Sequence, residues 1–326
     1  MQLPIAHYRL RFQGSIGRWP AYAGSAWRGV FGHQLRRALC VTHLDACNGC
    51  ELLHSCGYPY IFETPPPPAT DRQRLATAVP HPYVLEPGSP KPGGHVDLDL
   101  LLIGRGNQYL AYCVHALSEG ARAGIGSDRS RLQLVQILQQ RRPGEGRWEI
   151  IWEPEGEFAA FPAATPQIPP VPREVGVEFL TPLRAVRDEE KVLPSSFSFA
   201  AFFMTLLRRI SLLSYFHAGL PLDLDFAALA AHARTVQAEA VKLRWQNWLR
   251  LSSRQQKLVP MGGVVGRFEL RSSDLTPFWP FLWLGQWVHA GKGAVMGLGG
   301  YRLLPIPTAG IKTGQAMEIA EAGRVQ

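Results

Sequence analysis

A proline-rich stretch in the middle of the chain, between residues 153 and 173, divides the sequence into two halves. Proline lacks an amide proton and holds the backbone extended, so the stretch predicts a linker and not a helix or an inner strand. A chain of 326 residues is also long enough for two domains. We therefore expect an N-terminal domain over residues 1–153, a linker over 154–173, a C-terminal domain over 174–310 and a tail over 311–326.

The N-terminal half shows hydrophobic periodicity that alternates between the strand and helix types. Ser25 is a predicted helix cap, and Phe31, Leu35 and Leu39 form one apolar stripe on the helix that follows it. The predicted elements are a strand at 5–12, a helix at 25–39, a strand at 95–103, a helix at 108–122, and strands at 131–139 and 148–152.

The C-terminal half has a similar order of predicted elements. These are a strand at 174–185, helices at 199–216 and 226–236, two long strands at 240–251 and 258–270, a helix at 275–289 and a strand at 299–304. Each half approximates a βαββαβ order, which predicts an α+β protein with two tandem ferredoxin-like (RRM-like) domains. Another α+β fold is compatible with the same alternation.

The charge balance indicates an anionic partner. The formal net charge is +8, which favours RNA, DNA or an acidic membrane surface. The first residues lack a secretory leader pattern, and the apolar stretch at 278–288 is too short to span a bilayer, so we expect a cytoplasmic protein without membrane contact. In that compartment the five cysteines are expected to be thiols or metal ligands, not disulfides.

A glycine-rich run between residues 291 and 300 follows the last predicted helix. Such glycines permit positive φ and let backbone amides approach a phosphate, and Lys292 adds a positive charge. The run lacks the Gly-Lys-Ser/Thr ending of a P-loop, and no strand precedes it as in a dinucleotide-binding fingerprint. A turn whose glycines serve only packing is the alternative. The predicted RNA-binding residues of this run are Gly291, Lys292, Gly293, Gly297 and Gly299.

Several motifs together carry a resemblance to a known family. They are HAGKGAVMGLGGYRL at 289–303, RLSSRQQ at 250–256 with GGVVG at 262–266, FLTPLR at 179–184, LLRRIS at 206–211, and RGVFG at 28–32. This ordered set resembles the CRISPR-associated RAMP endoribonucleases that process precursor CRISPR RNA. The resemblance implies tandem ferredoxin-like domains, cleavage of a repeat RNA to mature guide RNA, and a product that often stays bound. Other CRISPR effector subunits are implied as partners.

RNA supplies its own nucleophile for such a cut, the 2′-hydroxyl. An acid–base group and a cation then suffice, no metal is required for catalysis, and the product is a 2′,3′-cyclic phosphate. His33 is the predicted acid–base group, because it points away from the buried stripe and shares its face with Arg36 and Arg37, which are predicted to bind RNA. Members of the family often place a histidine on or just after this helix, which makes His43 the runner-up.

His289 is a further candidate acid or base, because it directly precedes the glycine-rich run. It could equally cap the end of the last helix. Lys292 is the predicted contact to the phosphate or the transition state. A solvated surface histidine remains the alternative for His33.

Residues 232–271 are strongly basic, with eight Lys or Arg against two Glu. Trp245 and Trp248 lie among them, and arginine with aromatic side chains suits backbone contact plus base stacking. At least one of these tryptophans is expected to belong to the core. The predicted RNA contacts here are Arg250, Arg254 and Lys257.

Four cysteines occur close together with the spacing C-x6-C-x2-C-x5-C: Cys40, Cys47, Cys50 and Cys56. Four soft ligands that include a C-x2-C pair favour a structural zinc ion, with His43 and His54 as reserve ligands. An iron–sulfur cluster and unliganded thiols are the alternatives. Cys113 stands alone in a predicted helix and is expected to be core.

Three functions therefore compete. The first is an endoribonuclease, the second is a non-catalytic RAMP subunit that holds guide RNA, and the third is a zinc-stabilised scaffold for protein contacts. The glycine-rich run and the basic residues 232–271 occur in the same half of the chain, which favours RNA binding over the scaffold.

Overall fold

The computed structural model describes residues 2–66, 79–187, 190–252, 257–271 and 274–306, with the side chains of 249–258 left undescribed. It shows an α+β protein with two tandem ferredoxin-like domains, as the sequence predicts. Each domain has a central antiparallel sheet in which the first and third strands lie side by side in the middle.

The N-terminal domain contains a five-stranded sheet with the order β2-β3-β1-β4-β5. Two helices, α1 and α2, pack against each other, and both contribute to the same hydrophobic cluster as strands β1 and β3. The elements are β1 (Ile5–Gly14), α1 (Gly24–Leu39), β2 (Tyr83–Pro87), β3 (His95–Ile103), α2 (Leu110–Ala123), β4 (Leu132–Gln140) and β5 (Glu149–Trp152).

The C-terminal domain contains a four-stranded sheet with the order β13-β6-β12-β9, together with two small hairpins. The elements are β6 (Val175–Leu183), β7 (Val186–Arg187), β8 (Glu190–Lys191), α3 (Phe199–Leu213), α4 (Phe226–Thr235), β9 (Glu239–Gln246), β10 (Leu249–Ser252), β11 (Lys257–Pro260), β12 (Gly263–Leu270), α5 (Trp279–Val288) and β13 (Tyr301–Leu304).

The core of the C-terminal domain is built on α3. All five residues of its predicted stripe are buried, and burial of each such side chain stabilises the fold by roughly 1.5–3 kcal/mol. Ser198 caps this helix by accepting a hydrogen bond from the amide of Ala201. The stripe consists of Phe199, Phe203, Leu206, Ile210 and Leu213.

Several local predictions were wrong. Strand β2 was not predicted, because its short apolar run lies between prolines and glycines. Helix α1 begins at Gly24, so Ser25 lies inside its first turn, and the helix has no side-chain cap. The two predicted long strands are each broken, at residues 247–248 and 261–262, which leaves β10 and β11 as a separate hairpin.

The two domains share a core. One face of the N-terminal sheet is apolar at one end, and four of its side chains, together with Leu3 just before β1, join the hydrophobic core of the C-terminal domain. The same face becomes charged further along β1 and β3, where His7, Arg9 and Asp99 lie. The five apolar residues are Leu3, Ile5, Val84, Leu101 and Ile103.

The proline-rich linker is fastened to both domains. Ala164 and Ile5 exchange two backbone hydrogen bonds, at 3.0 and 3.1 Å. The indole of Trp279 donates to the carbonyl oxygen of Pro169 at 2.8 Å. These contacts hold Ala164 against the N-terminal domain and Pro169 against the C-terminal domain.

Among the described residues, the stretch Phe199–Ala218 is long and apolar enough to cross a membrane by length and composition. This stretch comprises α3 and the turn after it. It differs from the shorter apolar stretch at 278–288 considered from the sequence. The domain buries 61% of its most apolar window, so the core of the domain accounts for its composition.

Candidate nucleic-acid interface

The glycine loop, residues 291–300, connects α5 to β13. Four of its glycines have positive φ, between 68° and 86°. Glycine adopts this conformation without the steric penalty of a side chain, which explains why the tight turns of the loop require it. These residues are Gly291, Gly293, Gly297 and Gly299.

Many backbone amides of the loop donate hydrogen bonds within the protein. The amide of Lys292 donates to the Arg184 carbonyl at 2.9 Å, and that of Gly299 donates to the Pro182 carbonyl at 3.0 Å. The amide of Gly300 donates to the Thr181 hydroxyl at 2.8 Å. The loop is therefore anchored on β6 and its continuation, and these donors are not available to a phosphate.

The glycine loop also packs against the N-terminal domain. A Cβ atom on Gly24 would lie 2.1 Å from the Met296 carbonyl oxygen, and one on Gly297 would lie 2.7 Å from the Leu85 carbonyl oxygen. The Tyr22 hydroxyl donates a hydrogen bond to the Met296 carbonyl. Glycine at both positions lets the start of α1 and the end of β2 approach the loop closely.

His289 joins the two domains just before the loop. Its side chain is buried, with Nε2 at 2.6 Å from Oε1 of Glu86 and Nδ1 at 3.2 Å from the Leu298 carbonyl oxygen. Both ring nitrogens therefore have partners inside the protein. The sequence did not reveal Glu86, because no local signal links two residues so far apart in the chain. An acid–base role for His289 stays a prediction.

The C-terminal end of α5, immediately before His289, is fixed by α3. Arg209 Nε donates to the Val288 carbonyl at 2.6 Å. The guanidinium therefore satisfies a carbonyl that has no partner within the helix, at the end where a positive charge is favourable. Burial lowers the pKa of Arg209 to about 10. This residue belongs to the motif at 206–211, and its contact was not predicted from the sequence.

The predicted contacts of the glycine loop differ in exposure. The Lys292 side chain is exposed, whereas Gly297 and Gly299 are buried and Gly291 and Gly293 are half-buried. Lys292 is thus the member of the loop best placed to meet a ligand. RNA contact by these five residues stays a prediction.

The base of the β10–β11 hairpin reaches the same region. Trp248 stacks on Tyr22 with ring centroids 4.2 Å apart, and its carbonyl accepts a hydrogen bond from the Met261 amide at 2.7 Å. Met296 and Leu298 pack in the same cluster. Hairpin, glycine loop and the start of α1 therefore meet. Arg254 lies outside the described residues, as do the side chains of Arg250 and Lys257.

His33 is exposed on α1, as predicted. Gly24, which contacts the loop, lies nine residues before His33. This spacing corresponds to roughly 14 Å along the axis of α1 and about half a turn around that axis. Among the described residues His33 has no hydrogen bond or ion pair. On an ideal helix His33 therefore lies on the opposite face from Gly24, and among the described residues no hydrogen bond or ion pair joins His33 to Lys292.

The neighbours of His33 have different roles. Arg36 donates to the carbonyls of Leu44 and Asp45, so it holds the segment after the helix, whereas Arg37 is exposed. Gly32, the residue before His33, serves packing, because a Cβ on it would lie 2.1 Å from the Phe62 ring.

Charged side chains on the N-terminal sheet form a network that the sequence did not reveal. Asp99 accepts hydrogen bonds from Arg9 Nε at 2.7 Å and Nη2 at 2.9 Å and lies 3.0 Å from His7 Nε2. Burial opposes ionisation of this carboxyl, but Arg9 and His7 hold the pKa of Asp99 well below its usual range. Glu86 lies opposite Asp99 on β2. The network therefore extends to the strand that contacts His289.

The four clustered cysteines line one small cavity beside the end of α1. The reserve ligands His43 and His54 are exposed beside it. Cys113 is buried in α2, as predicted.

Both halves of the chain are similar to known protein families. Residues 177–301 match the family model of the CRISPR-associated endoribonuclease Cas6. Residues 3–163 match a model described as the AF_1859 N-terminal domain. An uncharacterised protein of Archaeoglobus fulgidus is 24% identical over 295 residues, which span 87% of this chain and 92% of the relative. The resemblance predicted from the sequence is therefore confirmed.

Solved structures show the same fold. Thermus thermophilus Cas6 (TTHB231), in a product complex, has a TM-score of 0.57 at 20% identity, over 92% of this chain and 99% of the other. Cas6 (TTHA0078), also in a product complex, has a TM-score of 0.53 at 14% identity, over 93% and 100%.

Proposed function

We propose that this protein, whose C-terminal domain belongs to the CRISPR-associated endoribonuclease Cas6 family, cleaves CRISPR repeat RNA to mature guide RNA in the cytoplasm. The observation that carries the proposal is the Cas6 match over residues 177–301. The matched region contains the glycine loop, which packs against α1, and the base of the hairpin, which packs against Tyr22 just before α1. The solved relatives in product complexes support RNA as the ligand.

The chemistry we propose is attack of the 2′-hydroxyl on the adjacent phosphate, without a catalytic metal ion. One group removes the proton of the 2′-hydroxyl, a second protonates the leaving 5′-oxygen, and a cation stabilises the charged phosphorane. The products would be a 2′,3′-cyclic phosphate and a 5′-hydroxyl. Retention of the cleaved guide RNA, followed by transfer to other CRISPR effector subunits, is part of the same proposal.

We assign the acid–base role to His33 and phosphate contact to Lys292. Among the three histidines considered, His33 is exposed on a helix, where a substrate can reach it, whereas His289 is buried and bonded to Glu86. His43 is exposed in the segment after the helix and remains the runner-up. In this assignment the RNA contacts both the loop and the outer face of α1.

A second candidate is a non-catalytic subunit that holds guide RNA. The observation that favours it is that His33 lies half a turn of α1 away from Gly24, the residue that contacts the glycine loop. A protein that only binds RNA needs no acid–base group near the phosphate-contacting lysine.

The deciding experiment uses the full-length protein and its cognate repeat RNA in buffer with EDTA and no added divalent cation. We expect cleavage that leaves a 2′,3′-cyclic phosphate, identified by mass spectrometry. A matched RNA with a single 2′-deoxy nucleotide at the cut site should bind equally well and stay intact. Binding without cleavage of the all-ribose RNA would establish the second candidate, and cleavage of the deoxy RNA would exclude 2′-hydroxyl attack.

A further inference from the structure

The segment from Cys40 to Cys56, called here the cysteine segment, encloses a cavity of about 20 Å³. All four of its cysteines line this cavity, although they are spread over seventeen positions of the chain. Their convergence on one small space is a tertiary feature, because the segment contains neither helix nor strand between Cys40 and Cys56.

A tight turn links two of the four cysteines that line the cavity. In the turn Cys47-Asn48-Gly49-Cys50 the amide of Cys50 donates to the Cys47 carbonyl at 3.0 Å, and Gly49 has φ of 84°. A C-x2-C turn with glycine in the left-handed region is the local geometry of a zinc half-site.

The two ends of the segment supply the other thiols. Cys40 is the C-cap of α1, and its sulfur lies 3.8 Å from the Thr42 hydroxyl, which lies 3.7 Å from the sulfur of Cys50. The sulfurs of Cys40 and Cys50 therefore both lie next to the Thr42 hydroxyl. Cys56 Sγ lies 3.9 Å from the Leu39 carbonyl oxygen, next to Cys40 in the chain.

The cysteine segment has little hydrophobic core of its own. The side chains of Val41 and Leu44 are 73% and 48% exposed, so their burial contributes little to its fold. Arg36 holds one stretch through the carbonyls of Leu44 and Asp45. Short segments of this composition are commonly ordered by a metal ion that crosslinks them.

We propose that the four cysteines of this cavity bind one zinc ion as a tetrathiolate site that fastens the cysteine segment to the end of α1. Among the described residues, no three His, Cys, Asp or Glu side chains are already arranged so that they could hold a metal ion. Binding therefore requires side-chain rotation of the cysteines around the cavity, with zinc–sulfur distances of about 2.3 Å in the liganded site. The site is structural, because four protein thiolates leave no open position for a substrate.

The test is metal analysis of full-length protein purified without added metal or chelator. We expect about one zinc per chain, and cobalt substitution should give the intense near-ultraviolet thiolate charge-transfer bands and visible bands of a tetrahedral thiolate site. Metal well below stoichiometric, in protein that cannot be reconstituted with zinc or cobalt, would overturn the proposal. Iron with acid-labile sulfide would replace it with a cluster.

Variants localise the site. Cys47→Ser and Cys50→Ser should each lower the zinc content several-fold and make residues 40–56 more sensitive to proteolysis. Cys113→Ala is the matched control, because this thiol is buried alone in α2 and its removal should leave the zinc content unchanged. Circular dichroism of each variant verifies that the two domains remain folded. Full zinc occupancy in folded Cys47→Ser protein would contradict the assignment.

Discussion

His289 of the C-terminal domain and Glu86 of the N-terminal domain form a hydrogen bond of 2.6 Å between Nε2 and Oε1. Their side chains are only 3% and 19% exposed. The bond fixes the residue that precedes the glycine loop to the last part of β2. It thereby links the position of the loop to the packing of the two domains.

Glu86→Ala should therefore destabilise the protein by roughly 1–3 kcal/mol, because it leaves a buried ring nitrogen of His289 without its partner. Glu178→Ala is the control, since Glu178 pairs with Arg302 at the surface, where an ion pair contributes about 0–1 kcal/mol. Urea unfolding of both variants gives the two free energies. Equal losses would show that the His289–Glu86 bond has no special weight.

Gly299→Ala should disrupt the glycine loop. A Cβ at this position would lie 1.8 Å from the Ala290 carbonyl oxygen, and φ is 68°, so the variant is strained in both respects. Gly29→Ala is the matched control, because Gly29 lies in α1 with no atom within 4 Å of the added Cβ. It should stabilise the helix by about 0.5–1 kcal/mol. Thermal unfolding should show shifts of opposite sign, and a neutral Gly299→Ala would contradict the close approach.

Stability should decrease as the pH falls below about 6.5, the unfolded-state pKa of histidine. Burial lowers the pKa of His217 to about 4, and burial, with Arg28 and Arg209, lowers the pKa of His81 to about 3. Between these values the unfolded chain takes up the proton and the folded protein does not, so the free energy of unfolding falls with pH. At pH 5, each of these two histidines should lower the free energy of unfolding by roughly 2 kcal/mol relative to neutral pH.

The variant His217→Gln should reduce this pH dependence, because the amide does not titrate but can still meet the Pro80 carbonyl and the Tyr60 hydroxyl that contact His217. His115→Gln, at an exposed position of α2, should leave it unchanged. Urea unfolding at pH 7 and pH 5 provides the comparison. A stability that is flat or rises toward pH 5 in the parent protein would refute the assignment.

His33→Ala should slow cleavage of repeat RNA by about 100- to 10,000-fold, the usual contribution of general acid–base catalysis, with little effect on RNA affinity. His115→Ala is the control at another exposed helical histidine. Single-turnover rates and filter binding separate the two effects. Unchanged cleavage by His33→Ala would transfer the role to His43 or His289, which the same assay can test.

Lys292→Ala should weaken RNA binding and lower the slope of log affinity against log salt by about 1, because one phosphate contact is lost. Lys191→Ala, on the small β7–β8 hairpin, is the control for removal of one positive charge. Binding measured at several salt concentrations gives the slopes. If both variants behave like the parent, the glycine loop does not contact RNA through Lys292.

The sequence by itself determined the type and order of most elements, because hydrophobic periodicity is a local property. The apolar stripe of α3 and the outward position of His33 follow from a period of 3.6 residues, and the ordered set of motifs between residues 28 and 303 indicated the family. The prolines predicted a linker between the two halves. Each of these features depends on residues that are close together in the sequence.

Only the tertiary structure decided how distant segments meet. Glu86 and His289, or Tyr22 and Trp248, are paired by the packing of one domain on the other, and no local pattern contains that information. Contacts within the C-terminal domain turn the amides of Lys292 and Gly299 inward, toward the carbonyls of Arg184 and Pro182. The two long predicted strands are likewise broken into β9 to β12, since strand length depends on the available partners and not on alternation alone.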